Sequence, residues 1–199
     1  MSAVLKQNYT LEEYFELDRS SNANFEYFNG EIFEMSGVSP NHARIERNLL
    51  FRLTQKAFDK NCEVFPANLR IKVPDLPPYR YLDLSVVCNE AKFETIGGLE
   101  CLVNPKMLVE VLSNSTASFD KGDKFMFYKS IASFDEYLLI SQFKKSITQY
   151  IRHSGRFWLR GDYEAGETIK IMTLDFDLEL DEIYQGVVFE SASDLTINE

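Results

Sequence analysis

The chain has 199 residues, of which 45% are hydrophobic, and its formal net charge at pH 7 is −10. This apolar content, with 16 Phe and 10 Tyr, is typical of a folded core and argues against general disorder. No run reaches the ~18 apolar residues of a membrane span and the start lacks a signal-peptide core, so we expect one cytoplasmic domain over residues 1–199 with no membrane partner.

The first part of the chain predicts a short helix and then a hairpin. The stretch "YTLEEYFELDRSS" predicts a short amphipathic helix, and Thr10 and Glu13 have the spacing of a capping box. In "FEYFNGEIFEMS" two aromatic-rich runs flank Asn29-Gly30, a dipeptide typical of two-residue hairpin turns.

Residues 39–60 predict a long helix with Ser39 as N-cap and Pro40 at its first position. Its predicted core stripe is Ile45, Leu49, Leu53 and Ala57. After it, "CEVFPA" and "NLRIKV" predict two strands.

Residues 81–89 and 106–114 predict two buried strands, because apolar side chains occupy both faces of each. A polar linker that contains Gly97-Gly98 joins them. Residues 118–133 predict a helix, although Gly122 weakens its first turn.

The remainder of the chain predicts a three-strand meander, "EYLLIS", "SITQYIRH" and "RFWLRG", with two further strands beyond Glu167. The expected fold class is therefore mixed α/β: a central sheet, a long helix packed on it, and hairpins at its edges.

The charge is unevenly distributed. Residues 162–199 contain eleven acids and one Lys, so this acidic C-terminal extension accounts for the whole net charge. Residues 141–160 contain five Lys or Arg and no acid. This basic segment is able to contact phosphates, or it forms the solvated outer face of two strands.

The three cysteines, Cys62, Cys88 and Cys101, are widely spaced and form no CxxC pair. We therefore expect reduced thiols rather than a disulfide framework or a structural zinc site. A thiol hydrolase would require one of them close to His42 or His153, and the spacing does not favour that hypothesis.

Two acids, Asp83 and Glu110, lie inside the apolar runs of the two predicted buried strands. An unpaired buried charge costs several kcal/mol, and two neighbouring carboxylates repel each other. A divalent cation between them removes both penalties. The alternative, in which Asp83 lies near a loop and Glu110 pairs with a nearby Lys or Arg, remains open.

Three more residues are candidates for the same site. Lys124 shares a helix face with Phe127 and Tyr128, so it leans toward the core, where it can stabilise charge on a phosphate. His42 lies on the apolar face of its helix, and Glu31 follows the hairpin glycine. A Lys–Asp surface pair, a buried structural His and an exposed Glu are the alternatives.

Three segments, "FEYFNGEIFEMSGVSPNHARIERNLL", "RYLDLSVVC" and "VEVLSNSTASFDKGDKFMFYKSIASFDEYLLIS", together resemble the Uma-two (Uma2) family. That family is classed with the restriction-endonuclease-like PD-(D/E)XK nucleases, and the resemblance covers about residues 10–160. It implies a restriction-endonuclease-like central mixed sheet flanked by helices.

The resemblance also implies roles for individual residues. Asp83 matches the acid of the "PD" element and Glu110 the acid of the "(D/E)XK" element. Both are then ligands of Mg²⁺ or Mn²⁺, together with the backbone carbonyl of Val111. Glu31 and His42 match positions that the family usually keeps near the site.

The sequence departs from the superfamily pattern at Leu82, where "PD" has proline, and at Leu112, where "(D/E)XK" has lysine. Lys124 is the expected substitute for that lysine. The implied activity is metal-dependent hydrolysis of DNA by a homodimer. The alternative is a catalytically inactive nuclease-fold module for binding or dimerisation, which the acidity and the missing lysine favour.

Overall fold

The computed structural model describes residues 2–3, 8–35, 37–113 and 123–189. The helices are α1 (Leu11–Ser20), α2 (Pro40–Ala57), α3 (Asp123–Tyr128) and α4 (Leu180–Ile183), and a 3-10 turn (Phe58–Lys60) follows α2. The strands are β1 (Ser2–Ala3), β2 (Phe25–Phe28), β3 (Glu31–Glu34), β4 (Cys62–Pro66), β5 (Arg70–Ile71), β6 (Arg80–Tyr81), β7 (Leu84–Cys88), β8 (Phe93–Ile96), β9 (Leu99–Leu102), β10 (Met107–Leu112), β11 (Glu136–Ser141), β12 (Ser146–Ser154), β13 (Phe157–Glu164), β14 (Thr168–Ile171) and β15 (Phe176–Glu179). Within those residues, each helix is too short or too polar to cross a bilayer.

A central sheet of six strands runs in the order β13-β12-β11-β10-β7-β4 through the described part of the chain. β10 and β11 are parallel, and the other neighbouring strands are antiparallel. All six residues of β10 are buried, as expected for a strand that is covered on both faces. This is the mixed α/β architecture that the sequence predicts.

One face of the central sheet is covered by α2. Ser39 accepts a hydrogen bond from the backbone N–H of His42, and Pro40 occupies the first turn. Ile45, Leu49 and Leu53 of α2 belong to the same buried hydrophobic cluster as Val109 of β10. The helix predicted over residues 39–60 is confirmed, although its last three residues form the 3-10 turn.

The opposite face is covered by α3, where Phe125 and Tyr128 pack against Leu108 of β10. The prediction that this helix continues to residue 133 is wrong. After Tyr128 the backbone makes tighter i→i−3 bonds, such as the one from the N–H of Ile131 to the carbonyl of Tyr128, and the chain turns. Residues 118–122 lie outside the described residues.

The strand predicted over residues 81–89 is divided in two. β6 ends at Tyr81 and belongs to a four-stranded sheet, β6-β5-β9-β8, whereas β7 begins at Leu84 and belongs to the central sheet. Asp83 lies in the bend between them. The prediction that Asp83 lies within a strand is therefore wrong, because the chain passes from one sheet to the other at this residue.

The linker predicted around Gly97-Gly98 is a β-hairpin formed by β8 and β9. Both glycines have positive φ, +57° and +82°, which a two-residue hairpin turn of this kind requires. The hairpin predicted at Asn29-Gly30 is confirmed as β2–β3, and there too both turn residues have positive φ.

α1 is held to the neighbouring strands by a buried acid. Asp18 Oδ2 accepts hydrogen bonds from the hydroxyls of Tyr79, at 2.7 Å, and Tyr81, at 3.0 Å, and from Arg70 Nη2, at 3.0 Å. Several donors satisfy this carboxylate, so its burial is a structural feature.

The acidic C-terminal extension contributes to the core. β14 and β15 form an antiparallel hairpin, and α4 follows it, so the two strands predicted beyond Glu167 are confirmed. Ile169, Leu178, Leu180 and Ile183 are fully buried with the residues on the α2 side of the central sheet.

Cys62 and Cys88 face each other on β4 and β7 and form a disulfide, whereas Cys101 is free and buried. The prediction of reduced thiols is therefore wrong for Cys62 and Cys88. They are 26 residues apart in the sequence, and only the register of the two strands makes them neighbours.

Candidate functional site

Asp83 is fixed in two directions by the elements around it. Its Oδ2 atom accepts a hydrogen bond of 2.6 Å from the backbone N–H of Val111 in β10. Its Oδ1 atom lies 3.0 Å from Nε2 of His42 in α2. The side chain of Asp83 is 20% exposed, so solvent reaches a carboxylate whose orientation is set by the sheet and the helix.

His42 lies in the first turn of α2 and is buried. Burial lowers the pKa of its imidazole, but the hydrogen bond and the charge of Asp83 outweigh that effect, so the pKa lies above its ordinary value. Without a metal, His42 and Asp83 therefore form a charge-assisted pair over a wider pH range than a free histidine permits.

Glu46 follows His42 by four residues and so lies on the same face of α2. Burial and the charge of Asp83 raise the pKa of its carboxyl group. Glu46 was not among the site residues predicted from the sequence. The signal was the His-x-x-x-Glu spacing in the predicted helix, which places both side chains on one face of it.

His42, Glu46 and Asp83 each present one ligand atom, and these atoms lie within 4.8 Å of one another. The set fits a divalent cation, because one imidazole and two carboxylates are common ligands and the two acids otherwise repel each other. Among the described residues, this is the group of histidine and acidic side chains whose ligand atoms lie close enough together to hold one metal ion.

Glu110 meets a different environment at the centre of β10. Its Oε1 atom accepts hydrogen bonds from Lys124 Nζ, at 3.1 Å, and from the Tyr128 hydroxyl, at 3.0 Å, and its Oε2 atom accepts one from the Tyr137 hydroxyl. Glu110 and Lys124 are each 5% exposed. Lys124 thus supplies the positive charge that a buried Glu110 requires. Pairing with a nearby Lys or Arg was one of the two interpretations left open by the sequence.

The predicted site residues are brought together only in part. Asp83 is hydrogen-bonded to the amide of Val111, the residue after Glu110, so the two acids are linked through β10. The three-residue cluster contains Asp83 but not Glu110. Glu31 is exposed on β3, and in the described part of the chain no hydrogen bond or ion pair joins it to Asp83 or Glu110.

The basic segment, residues 141–160, runs from the end of β11 to β13. Three of its five cations pair with acids: Lys145 with Asp181, Arg152 with Asp135, and Arg160 with Asp162. Lys144 and Arg160 line a cavity of about 440 Å³ together with Leu112 and Tyr150. This cavity lies at the end of β10, two residues beyond Glu110.

A family model described as "Putative restriction endonuclease", Uma2, matches residues 11–182. The chain belongs to the Uma2 family. The match extends 22 residues beyond the resemblance over residues 10–160 and includes β14 and β15.

Two relatives come from Synechocystis sp. (strain ATCC 27184 / PCC 6803 / Kazusa). "Uncharacterized protein sll1609" is 36% identical over 150 residues, 75% of this chain and 84% of the relative. "Uncharacterized protein slr1290" is 29% identical over 178 residues, 89% of this chain and 92% of the relative. Both relatives therefore align with this chain over most of their own length.

The fold resembles the crystal structure of "a putative nuclease belonging to DUF820 from Anabaena variabilis ATCC 29413". The TM-score is 0.71 at 15% identity, over 90% of this chain and 99% of that chain. The Uma2 protein therefore has the restriction-endonuclease-like fold that the sequence analysis predicts.

Proposed function

We propose that this Uma2 protein is a metal-dependent nuclease that hydrolyses phosphodiester bonds in DNA. The observation that carries the proposal is the cluster of His42, Glu46 and Asp83, with the amide of Val111 joining Asp83 to the strand of Glu110. Membership of the Uma2 family supports the same reaction class.

Asp83, Glu46 and His42 are the proposed ligands of Mg²⁺ or Mn²⁺. Carboxylates suit both ions, whereas an imidazole ligand suits Mn²⁺ better than Mg²⁺. With His42 in the ligand set, we favour Mn²⁺. Such a cation supplies Lewis-acid polarisation of the phosphate and a more acidic bound water.

Glu110 and the carbonyl of Val111 remain proposed ligands from the neighbouring strand. A carboxylate has about four acceptor positions, and three of those on Glu110 are used by Lys124, Tyr128 and Tyr137. These hydrogen bonds fix the direction of the Glu110 carboxylate, and its negative charge is what a divalent cation would bind.

Lys124 is the proposed electrostatic group. Its ammonium is held 3.1 Å from Glu110 in a buried environment, where a positive charge acts more strongly on a phosphate than it does in water. In the same proposal, Lys124 orients the attacking water. Glu31, exposed on β3, stays a predicted site residue on the strength of the family resemblance.

The test is cleavage of plasmid and linear DNA with Mn²⁺ and with Mg²⁺. We expect Asp83→Asn and Glu110→Gln each to lower the cleavage rate by at least about 100-fold, because each removes a charge at the proposed centre. The matched controls are Asp59→Asn and Glu34→Gln, which change exposed acids elsewhere. Cleavage that persists in both Asp83→Asn and Glu110→Gln would show that another site or a contaminant is responsible.

A second candidate function is a nuclease-fold module that binds or dimerises without catalysis. The observation that favours it is the Glu110–Lys124 ion pair, which neutralises the acid of β10 in the absence of a metal. Titration calorimetry separates the two functions: a wild-type protein that binds no divalent cation at millimolar concentration favours the module.

A further inference from the structure

Glu26 is a buried acid of β2 that is not among the predicted site residues. It is 7% exposed, and its Oε1 atom is sealed from solvent without a hydrogen-bond partner. A buried polar atom left in this state costs about 1–3 kcal/mol, so each example in a folded protein calls for an explanation.

The face of β2 that carries Glu26 points toward the Glu110 environment. Glu26 and Phe28 are two residues apart and share a face of the strand, and Phe28 packs against the cluster that contains Tyr128. Leu82 packs in this same cluster. The hairpin thus places Glu26 on the α3 side of the central sheet, where Lys124 and Tyr128 donate hydrogen bonds to Glu110.

Four charges act on one hydroxyl at this place. Burial is the main cause that raises the pKa of Tyr128; the charges of Glu110 and Glu26 raise it further, and those of Lys124 and Arg80 lower it. Arg80 is 1% exposed, and its Nη1 atom donates to the carbonyl of Tyr79. A simple Arg80–Glu26 ion pair therefore does not account for the acid, since no such bond forms in the described structure.

The charges of the described residues at this place point to a cation. With His42 neutral, the acids Asp83, Glu46, Glu110 and Glu26 exceed the two bases, Lys124 and Arg80, by two charges. One divalent cation brings the group to neutrality, which a largely buried site favours strongly.

We propose that Glu26 is a further acid of the metal centre, whose charge and unpartnered oxygen strengthen the binding of one divalent cation beside Glu110. The proposal rests on the proposed function in that it requires a divalent cation at this centre. It adds a residue from the N-terminal hairpin to a site otherwise formed by α2, the β6–β7 bend, β10 and α3.

The test is the affinity of the full chain for Mn²⁺ alone, measured by titration calorimetry and by the electron paramagnetic resonance of free Mn²⁺. We expect Glu26→Gln to weaken binding about tenfold, as outer-sphere changes at metal centres do. Glu26→Asp, which keeps the charge, is expected to retain most of the affinity. Glu34→Gln, an exposed acid of the same hairpin, is the matched control and should bind like wild type.

Arg80→Gln is a second variant, for which we expect the opposite change in Mn²⁺ affinity. It removes a positive charge from the same place and is expected to tighten Mn²⁺ binding about threefold. Damage to the fold would weaken binding in both variants, so opposite shifts identify a charge effect, and the Arg80 variant alone tests the inference if Glu26→Gln does not fold.

The outcomes separate this inference from the proposed function. Unchanged affinity in Glu26→Gln and Arg80→Gln, with loss of binding in Asp83→Asn, overturns the role of Glu26 and leaves the nuclease proposal standing. If the wild type binds Mn²⁺ but cuts no DNA, and the variants change the Mn²⁺ affinity as expected, the role of Glu26 is supported and the nuclease proposal is rejected. A wild-type protein that binds no Mn²⁺ overturns both.

Discussion

Asp18, Glu110 and Glu26 are all buried acids, but their charges are met in different ways. Asp18 has several donors and joins elements of the fold, whereas Glu110 combines an ion pair with two phenol hydrogen bonds. Glu26 keeps one oxygen without a partner. Burial alone therefore does not identify a functional acid, and the set of partners must be examined for each one.

The pKa shifts at this scale predict how stability depends on pH in metal-free buffer. The pKa of His42 is raised above 6.5 in the folded protein, so its stabilising contribution is complete below pH 6.5 and is lost as the pH rises through the folded value. We expect the difference in free energy of unfolding between wild type and His42→Gln to be larger at pH 5.5 than at pH 8.5. Urea unfolding with a chelator present measures it.

The control for this experiment is His153→Gln, which changes the other histidine, an exposed residue of β12. It is measured beside His42→Gln at both pH values, so that a general effect of losing a histidine is subtracted. The raised pKa of Glu46 acts in the same direction at lower pH, because a folded state that holds its proton more tightly loses stability as the pH rises above 4.5. A difference for His42→Gln that grows with pH would contradict the assignment.

At the scale of elements, β4 and β7 are joined by the disulfide between Cys62 and Cys88. We predict that the protein, unfolded in denaturant without reductant, exposes one titratable thiol per chain, and three after reduction. Ellman's reagent measures the count. Cys101→Ala should lower both numbers by one, and three thiols before reduction would show that the link is absent in the purified protein.

α2 is the element that matters most for the candidate site. Its apolar stripe fixes the helix on the central sheet, and the polar residues His42 and Glu46 continue along the same face at its N-terminal end. The two candidate ligands are thus positioned by the packing of Ile45 and Leu49, which are fully buried. A loop could not hold both side chains against Asp83 with the same rigidity.

At the scale of the whole molecule, the hairpin and helix of the acidic extension share one hydrophobic cluster with α2 and the central sheet. That residues 1–199 form a single domain stays a prediction. We expect one cooperative thermal transition, with calorimetric and van't Hoff enthalpies that agree.

Leu178→Ala tests this expectation from the C-terminal side. Leu178 is fully buried in β15, so its truncation should lower the free energy of unfolding by about 3 kcal/mol and shift the whole transition to lower temperature. Met172→Ala, at a residue that is 51% exposed, is the control and should have little effect. A separate early transition in Leu178→Ala would indicate an independent C-terminal unit.

The sequence alone determined the features that depend on local pattern. The stripe of Ile45, Leu49 and Leu53 predicted α2, the Asn29-Gly30 turn predicted the first hairpin, and the buried run around Glu110 predicted β10. These succeed because helix and strand periodicity and turn chemistry act within a few residues. The motif order also identified the family.

The tertiary structure decided what depends on contacts between distant residues. Strand register made Cys62 and Cys88 partners, a change of sheet put Asp83 in a bend, and α3 supplied Lys124 to Glu110. Glu26 and Glu46 gained their significance in the same way. A charge in a sequence has no environment until the chain folds, because its energy is set by the groups that packing brings within a few ångströms.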